Sequence, residues 1–235
     1  MPNGYYHPEE DRYLVEMWHG GHILRMPPWR VHGAAKNMRV ALGIGALQEC
    51  AFCFTDDDVA THMERFPEGQ FAGDRRAATF GLCTTMRTSR PPNGSHPSWI
   101  EAIGDKRLAG HEPDGHWLFM VQIAVHPRYQ RHGMGSAFIR ACSALAVHQN
   151  LRGIYVVGML LGYKDHSDKM DVEEYGYKVG LGEIYDPIIS LFLKRGFQDV
   201  VGEPVIPGYF DVPYAGGAGV LLVWKNHLFD SGRVK

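Results

Sequence analysis

Two apolar segments separated by an amphipathic stretch dominate the pattern of hydrophobic and polar positions along the chain. Residues 118–125, LFMVQIAV, are almost continuously apolar, which is typical of a strand covered on both faces of a sheet. From Met134 onward, apolar residues recur every three to four positions, which predicts a helix of about four turns. A second apolar strand is predicted over residues 154–161. Strand, helix and strand in this order predict a right-handed crossover with the helix packed over a parallel pair.

The segments before this crossover contain a capped helix and two further strands. Thr55 and Asp58 form an acidic variant of the capping box, and the helix that follows ends at residues 67–69. Strands are predicted over residues 70–72 and 77–87, joined across Gly73 and Asp74, with a surface loop over residues 90–97. Residues 1–35 have no clear period and predict an irregular arm with one strand near residues 13–17.

The segments after the crossover contain an insertion and a sharply delimited helix. Residues 162–182 are longer than an ordinary crossover loop and predict a helix of their own that begins at Asp171. Asp186 as the cap, Pro187 at the first helical position and Gly196 after the last turn delimit the next helix.

The predicted fold class is therefore α/β, with a mixed central β-sheet flanked by helices. Strands near residues 198–204 and 219–224 complete the sheet. An N-terminal arm over residues 1–35 and a single domain over residues 36–235 are the predicted divisions. The insertion lies between the strand after the crossover helix and the helix capped by Asp186.

Composition and charge exclude several classes of function. The chain has 235 residues, 45% hydrophobic and 21% charged, and a net charge of -2, so it has no broad basic face for nucleic acid. The longest apolar run is about half of the roughly 20 residues that cross a bilayer, and the polar start has no signal peptide. We therefore expect a cytosolic protein with no membrane or nucleic-acid partner. The pair Cys50 and Cys53 is not matched by a second pair, so no metal ion is expected.

A glycine-containing turn between the first apolar strand and the crossover helix is the strongest candidate binding motif. Free backbone N–H groups and the positive end of the helix dipole meet in the first turn of a helix, where they suit a pyrophosphate. The two glycines remove side chains that would hold phosphates away from the backbone, and Arg131 can add charge-assisted hydrogen bonds. The predicted cradle consists of Gln130, Arg131, His132, Gly133, Met134, Gly135 and Ser136.

The same segments resemble a known family. VHPRYQRHGMGSAFIRA resembles motif A of the GNAT superfamily, and FLKRGF resembles the end of its motif B. FPEGQF, HEPDG, GEIYDP and VLLVWKN resemble a bacterial group of GNAT proteins, some of which are fused to a nitrilase-like amidase. The resemblance implies an N-acyltransferase that passes an acetyl group from acetyl-CoA, its cosubstrate, to the amine of a small molecule. Dimers are common in this family, which makes a homodimer compatible with the resemblance.

The resemblance also implies where the thioester would lie. In this fold the sheet splays beside motif A and holds the pantetheine arm in the opening, which would be lined by Ile123, Ala124 and Val125. A backbone N–H of Val125 or Ile123 would polarise the thioester carbonyl.

Two departures from the family pattern concern proton transfer. Gln122 stands where related proteins carry a glutamate base, and a carboxamide cannot act as a base. Phe192 stands where many members carry a tyrosine that protonates the leaving thiolate. Tyr163 and Tyr185, which flank the insertion, are the replacement candidates, although Tyr185 could instead staple the helix that begins at Asp186.

Two other functions compete with this interpretation. The departures at Gln122 and Phe192 favour a catalytically weak acyl-CoA-binding or regulatory module of the same fold. Gly43-Ile44-Gly45 imitates a dinucleotide-binding fingerprint. Gln48 replaces the third glycine of that fingerprint, and no acidic residue follows at the expected distance, which disfavours NAD binding.

Overall fold

A computed structural model describes most of the chain. The described residues are 5–7, 12–17, 21–28, 31–41, 52–75, 78–93, 96–199, 204–212 and 215–233. Gly43, Gln48, Cys50 and residues 76–77 lie outside them.

One mixed sheet organises the described part of the chain. Its strands are β1 (Tyr5–His7), β2 (Arg12–Met17), β3 (Gly21–Arg25), β4 (Gln70–Arg75), β5 (Ala78–Thr88), β6 (Trp117–Val125), β7 (Gly153–Met159), β8 (Gln198–Asp199), β9 (Val205–Ile206) and β10 (Gly219–Lys225). They run in the order β1-β2-β3-β4-β5-β6-β7-β10-β8, and β9 pairs with β10. Every pairing is antiparallel except that of β6 with β7, which the crossover helix connects.

Helices cover both faces of this sheet. The α-helices are α1 (Val31–Ala41), α2 (Asp56–Arg65), α3 (Trp99–Ile103), α4 (Met134–His148), α5 (Val172–Gly180) and α6 (Ile189–Leu193). One hydrophobic cluster packs α4, α5 and α6 against one side, which we call the α4 face. A second cluster packs α1, α2, α3, residues 206–212 and Ala215 against the other side, the α1 face. The predicted fold class, a mixed sheet flanked by helices, is confirmed.

The start of α2 shows how the sequence sets a boundary. The Thr55 hydroxyl accepts a hydrogen bond from the Asp58 N–H at 3.1 Å, and the Asp58 carboxylate accepts one from the Thr55 N–H at 2.8 Å. This is the predicted capping box, and it satisfies backbone donors that the first turn of a helix leaves free.

A buried carboxylate fixes the insertion to the helix that follows it. Asp186 is fully buried, and its carboxylate accepts hydrogen bonds from the backbone N–H groups of Gly162, Ile188 and Ile189 and from the Tyr175 hydroxyl. The predicted cap at Asp186 is therefore confirmed, as is the predicted helix start at Asp171, whose carboxylate accepts from the Glu174 N–H. The helix after Asp186 is shorter than predicted, because the first residues after the cap form a turn and α6 spans five residues.

Two predictions about the first half of the chain need correction. The segment of residues 1–35 is more regular than predicted, with β1, β2, β3 and the first turn of α1, although the strand predicted near residues 13–17 is present as β2. Gly73 and Asp74 do not join two strands. They lie inside β4, at a shift of register against β5. The predicted boundary between the N-terminal arm and the domain, at residue 35, falls inside α1. The division of the chain into these two parts stays a prediction.

The described residues contain no helix that is both long and apolar enough to cross a membrane. In the same part of the chain, no group of three or more His, Cys, Asp and Glu side chains is arranged to hold a metal ion.

Candidate functional site

The parallel strands β6 and β7 separate along their length. They pair only where Trp117, Leu118 and Phe119 face residues 153–155, and beyond Phe119 the two strands have no pairing. The remaining six residues of β6 span about 20 Å at about 3.3 Å per residue. A gap of this length opens in the middle of the sheet, between the last paired residues and the turn that leads into α4.

The pairing of β6 with β5 determines which backbone groups face this gap. The His126 N–H donates to the Phe80 carbonyl at 2.8 Å, and neighbouring residues of an antiparallel strand point alternately toward and away from the partner. Ala124 therefore bonds to β5, whereas the N–H and C=O groups of Ile123 and Val125 face the gap. The Val125 carbonyl accepts from the Gln130 side-chain amide at 2.9 Å, on the side away from β5. Of the three predicted lining residues, Ile123 and Val125 offer backbone groups to a ligand.

The turn after β6 carries the chain sharply into α4. Arg131 and Gly133 both have left-handed backbones, with φ of 63° and 84°, and Gly133 is the N-cap of the helix. His132 is exposed, and its Nδ1 contacts the Gln130 carbonyl at 2.7 Å. The first-turn N–H groups of Met134, Gly135 and Ser136 have no acceptor within the helix. This end of α4 meets the open end of the gap, so both sets of free N–H groups border one continuous opening.

The two glycines of the turn have different roles. A side-chain atom added at Gly133 would meet nothing within 4 Å, so this glycine leaves open space beside the helix N-terminus. A side-chain atom added at Gly135 would lie 3.0 Å from the Leu191 methyl group, which shows that Gly135 allows α4 to approach α6. The prediction that both glycines make room for phosphates thus fits Gly133, while packing explains Gly135.

A bulge in β6 sets the position of Gln122. Thr84 of β5 faces Gln122 and Thr85 faces Met120, so Val121 is an extra residue in β6. The Val121 carbonyl accepts a hydrogen bond from the Trp99 indole at 3.2 Å. Because the bulge shifts the alternation of side chains, Val121 and Gln122 both lie on the α1 face.

The three predicted catalytic residues do not form one group. The Gln122 side-chain amide donates to the Phe52 carbonyl at 3.2 Å on the α1 face, and its oxygen is buried. Tyr163 packs on the α4 face, where its hydroxyl contacts the Met170 carbonyl at 3.4 Å. Tyr185 is 68% exposed and lies beneath the Lys194 ammonium. Their roles in proton transfer stay predictions.

Phe192 cannot supply a proton and is part of the core. It is 4% exposed, and its ring packs edge-on against Phe197 with 5.1 Å between the centroids. The position where many family members carry a tyrosine is therefore an apolar one here.

The structure brings together a polar cluster that the sequence did not reveal, which we call the end cluster and which consists of His96, Tyr155 and Tyr209. It lies on the α1 face, where the Tyr155 ring stacks on Phe119 at 4.9 Å and lies 5.5 Å from the His96 ring. Phe119 and Tyr155 are the last paired residues of β6 and β7, so the cluster marks the closed end of the gap.

Burial dominates the ionisation of the end cluster. It lowers the pKa of His96 to about 4, with a smaller contribution from the Arg90 guanidinium, so the ring is neutral at pH 7. Burial also raises the pKa of Tyr155 and of Tyr209, so both hydroxyls keep their protons. Three neutral groups that can donate hydrogen bonds thus line the closed end of the gap.

A sequence signal for this cluster exists, but it is weak. His96 belongs to the predicted surface loop, Tyr155 is the one polar group in an otherwise apolar strand, and Tyr209 lies in an irregular segment. The three come from distant parts of the chain, so only the fold shows that they meet.

Comparisons with known proteins agree with this geometry. The Acetyltransferase (GNAT) family matches residues 95–167, which include β6, the turn and α4. "Probable hydrolase YhcX" of Bacillus subtilis (strain 168) is 30% identical over 175 residues, which cover 72% of this chain and 33% of that protein. "Uncharacterized N-acetyltransferase YkwB" of the same organism is 26% identical over 173 residues, covering 74% of this chain and 75% of that protein. The chain thus spans about a third of the length of the first relative and three quarters of the second.

Solved structures share the fold. The loading GNATL domain of CurA from Lyngbya majuscula matches with a TM-score of 0.72 at 14% identity, over 87% of this chain and 97% of that chain. The GphF GNAT-like decarboxylase in complex with isobutyryl-CoA matches with a TM-score of 0.72 at 19% identity, over 86% of this chain and 98% of that chain. The ribosomal-protein-S18-alanine N-acetyltransferase from Escherichia coli has a TM-score of 0.51 at 12% identity, over 87% of this chain and 93% of that chain. The family match over residues 95–167, the mixed sheet and the gap beside the turn before α4 identify the fold of this chain as that of the GNAT superfamily.

Proposed function

We propose that this protein is an N-acyltransferase that takes an acyl group, acetyl in the simplest case, from acyl-CoA and transfers it to the amine of a small molecule. The observation that carries the proposal is the gap between β6 and β7, which continues into the first turn of α4. An extended pantetheine arm fits such a gap, with its pyrophosphate at the helix N-terminus.

The chain offers this cosubstrate two kinds of backbone contact. The first-turn N–H groups of α4, with Gln130, Arg131 and His132 beside them, would bind the pyrophosphate. The N–H groups of Ile123 and Val125 would bind the pantetheine arm, and one of them would donate to the thioester carbonyl as negative charge develops on its oxygen. In direct transfer the amine nitrogen attacks that carbonyl carbon, and the bond to the CoA sulfur breaks.

Proton transfer distinguishes this chain from its family. An alkyl amine with a pKa near 10 is mostly protonated at pH 7, so it must lose a proton before it attacks. Gln122 cannot accept that proton, and Phe192 cannot donate one to the leaving thiolate. Solvent would therefore take the first proton, with Tyr163 or Tyr185 as the candidate donor to the thiolate. The rate should rise with pH as the neutral amine becomes more abundant.

The names of similar proteins support the proposal in part. The relative YkwB is named as an N-acetyltransferase and covers most of this chain, while the GphF structure holds isobutyryl-CoA. The name of YhcX, a hydrolase, refers to a protein about three times as long as the shared segment.

The experiment that tests the proposal is release of free CoA thiol from acetyl-CoA in the presence of a panel of small amines. We expect release that depends on the amine and is lost in Gly133→Asp, whose carboxylate would enter the open space beside the helix N-terminus. Gly182→Asp is the matched control, because Gly182 also has a left-handed backbone, with φ of 76°, and its nearest neighbour lies 3.9 Å away. Equal release with and without every amine would contradict the proposal.

The second candidate is an acyl-CoA-binding or regulatory module without turnover. The observation that favours it is the identity of the residues at positions 122 and 192. Gln122 cannot act as the usual base and Phe192 cannot act as the usual acid. This candidate predicts tight binding of acetyl-CoA with no thiol release at any pH, whereas the proposed transferase predicts release that increases with pH.

A further inference from the structure

Several buried polar atoms on the α1 face have no hydrogen-bond partner among the described residues. They include both ring nitrogens of His96 and the Tyr209 hydroxyl in the end cluster. The Gln122 side-chain oxygen and the Thr84 hydroxyl, which face each other across β5 and β6, are further members. Tyr209 is 2% exposed, so its hydroxyl cannot be satisfied by bulk water. Unpaired buried polar atoms are costly, and a run of them along one face indicates a place for a polar ligand.

The chemistry of the end cluster favours a negatively charged ligand group. The Tyr209 hydroxyl and the neutral His96 ring can each donate a hydrogen bond. The positive charge of Arg90 acts on the cluster: it adds to the lowering of the His96 pKa by burial, and it opposes the rise that burial causes in the pKa values of Tyr155 and Tyr209. Glu112 is the opposing charge, and its carboxylate is held by the Ser89 N–H at 2.6 Å.

The remaining member of the cluster contributes through its position. Tyr155 shares a hydrogen bond with the Thr88 side chain, and its ring centroid lies 5.5 Å from that of His96. Donors together with an arginine are the groups that bind carboxylates in proteins.

The cluster lies where the reacting end of a substrate would be. The pyrophosphate end of the gap is at Val125 and Gly133, and the closed end is at the pair of Phe119 and Tyr155. A cosubstrate anchored at the first end therefore brings its acyl group toward the second. Gln122 lies between the two, three residues from Phe119 along β6.

We propose that Arg90, His96 and Tyr209 bind the carboxylate of a substrate beside the thioester. The inference rests on the proposed function, because it takes the gap between β6 and β7 as the site of acyl-CoA. The carboxylate can come from an amine acceptor that is an amino acid, with the Gln122 and Thr84 oxygens accepting from its amine. It can also come from an acyl group that carries a carboxylate itself, as in malonyl-CoA. Both sources present the same group to the same three side chains.

The test compares matched ligands that differ only in the carboxylate. For the acceptor, thiol release from acetyl-CoA is measured with β-alanine and with its amide. For the acyl group, the dissociation constants of malonyl-CoA and acetyl-CoA are measured by titration calorimetry. In one of these two comparisons we expect the carboxylated ligand to be preferred about tenfold or more, as a faster thiol release or a lower dissociation constant. A charge-assisted hydrogen bond has an effect of that order. The arm in which the preference appears identifies the source.

Two variants connect the preference to the proposed residues. Arg90→Gln and Tyr209→Phe should each reduce it about fivefold or more while leaving the dissociation constant of acetyl-CoA within about twofold. Tyr177→Phe is the control, because Tyr177 is 52% exposed on α5. Acetyl-CoA binding without a carboxylate preference in either arm, or with a preference that both variants retain, would overturn the inference. Failure of acetyl-CoA to bind at all would refute the proposed function, and the inference would fall with it.

Discussion

Replacement of Asp186 by alanine should cost more stability than replacement of either of the capping residues Thr55 and Asp171. Four donors converge on the Asp186 carboxylate: the N–H groups of Gly162, Ile188 and Ile189 at 2.8, 2.8 and 3.2 Å, and the Tyr175 hydroxyl at 3.2 Å. They come from the turn after β7, from α5 and from the residues at the start of α6, so one side chain connects three parts of the fold.

The size of the effect follows from burial. Hydrogen bonds to a charged group contribute about 1.5–3 kcal/mol each, and donors left unpaired in the interior cost about 1–3 kcal/mol. These values are not additive, since the donors share one acceptor, and we expect Asp186→Ala to lower the free energy of unfolding by about 3–5 kcal/mol. Asp171→Ala is the matched control. Asp171 caps α5 through one hydrogen bond at an exposed position, and its loss should cost about 1 kcal/mol.

Urea denaturation with linear extrapolation measures both variants. A double-mutant cycle with Tyr175→Phe adds a second test, because the coupling between Tyr175 and Asp186 should be about 0.5–3 kcal/mol. If Asp186→Ala is no less stable than Asp171→Ala, the carboxylate does not connect these elements and the reasoning is refuted.

Three further predictions follow from other contacts. Gly81→Val should lower the free energy of unfolding by about 1–3 kcal/mol and weaken acetyl-CoA binding. A side-chain atom at this position would lie 2.7 Å from the Met134 sulfur and would displace the start of α4. Unchanged denaturation and binding curves would contradict this prediction. Thr55→Ala should cost about 1 kcal/mol in urea denaturation through loss of the capping box, and an unchanged midpoint would argue against it. Burial lowers the pKa values of His62 and His96, the latter to about 4, so the unfolded chain binds more protons below pH 6.5. The free energy of unfolding should therefore fall as pH decreases from 6.5 toward 4. Denaturation at several pH values measures it, and a free energy of unfolding that rises as pH decreases over this range would contradict the prediction.

The crossover at the centre of the fold could be predicted because its signals are local. The apolar run of β6, the helical period of α4 and the second apolar run of β7 each lie within about 15 residues, and the free first turn of a helix follows from backbone geometry alone. The capping residues Thr55, Asp171 and Asp186 were predictable for the same reason, since each acts on residues two to four positions away.

The gap and its lining could not be predicted in this way. The separation of β6 from β7 and the extra residue at Val121 depend on which strands pair and over what length, and no local pattern encodes this. The error at Gly73 and Asp74 has the same origin, because a register shift within a strand has the same residue signature as a turn. The end cluster depends on packing between loops and strands that are distant in sequence.

The measurement that tests the central claim most directly is the dissociation constant of acetyl-CoA for the unaltered protein, Gly133→Asp and Gly182→Asp, determined by titration calorimetry. The account predicts binding to the unaltered protein and to Gly182→Asp within about twofold of each other. It predicts binding at least about 100-fold weaker for Gly133→Asp, because a like charge beside the phosphates costs several kcal/mol. Equal affinity of all three proteins would contradict the assignment of the pyrophosphate to the N-terminus of α4.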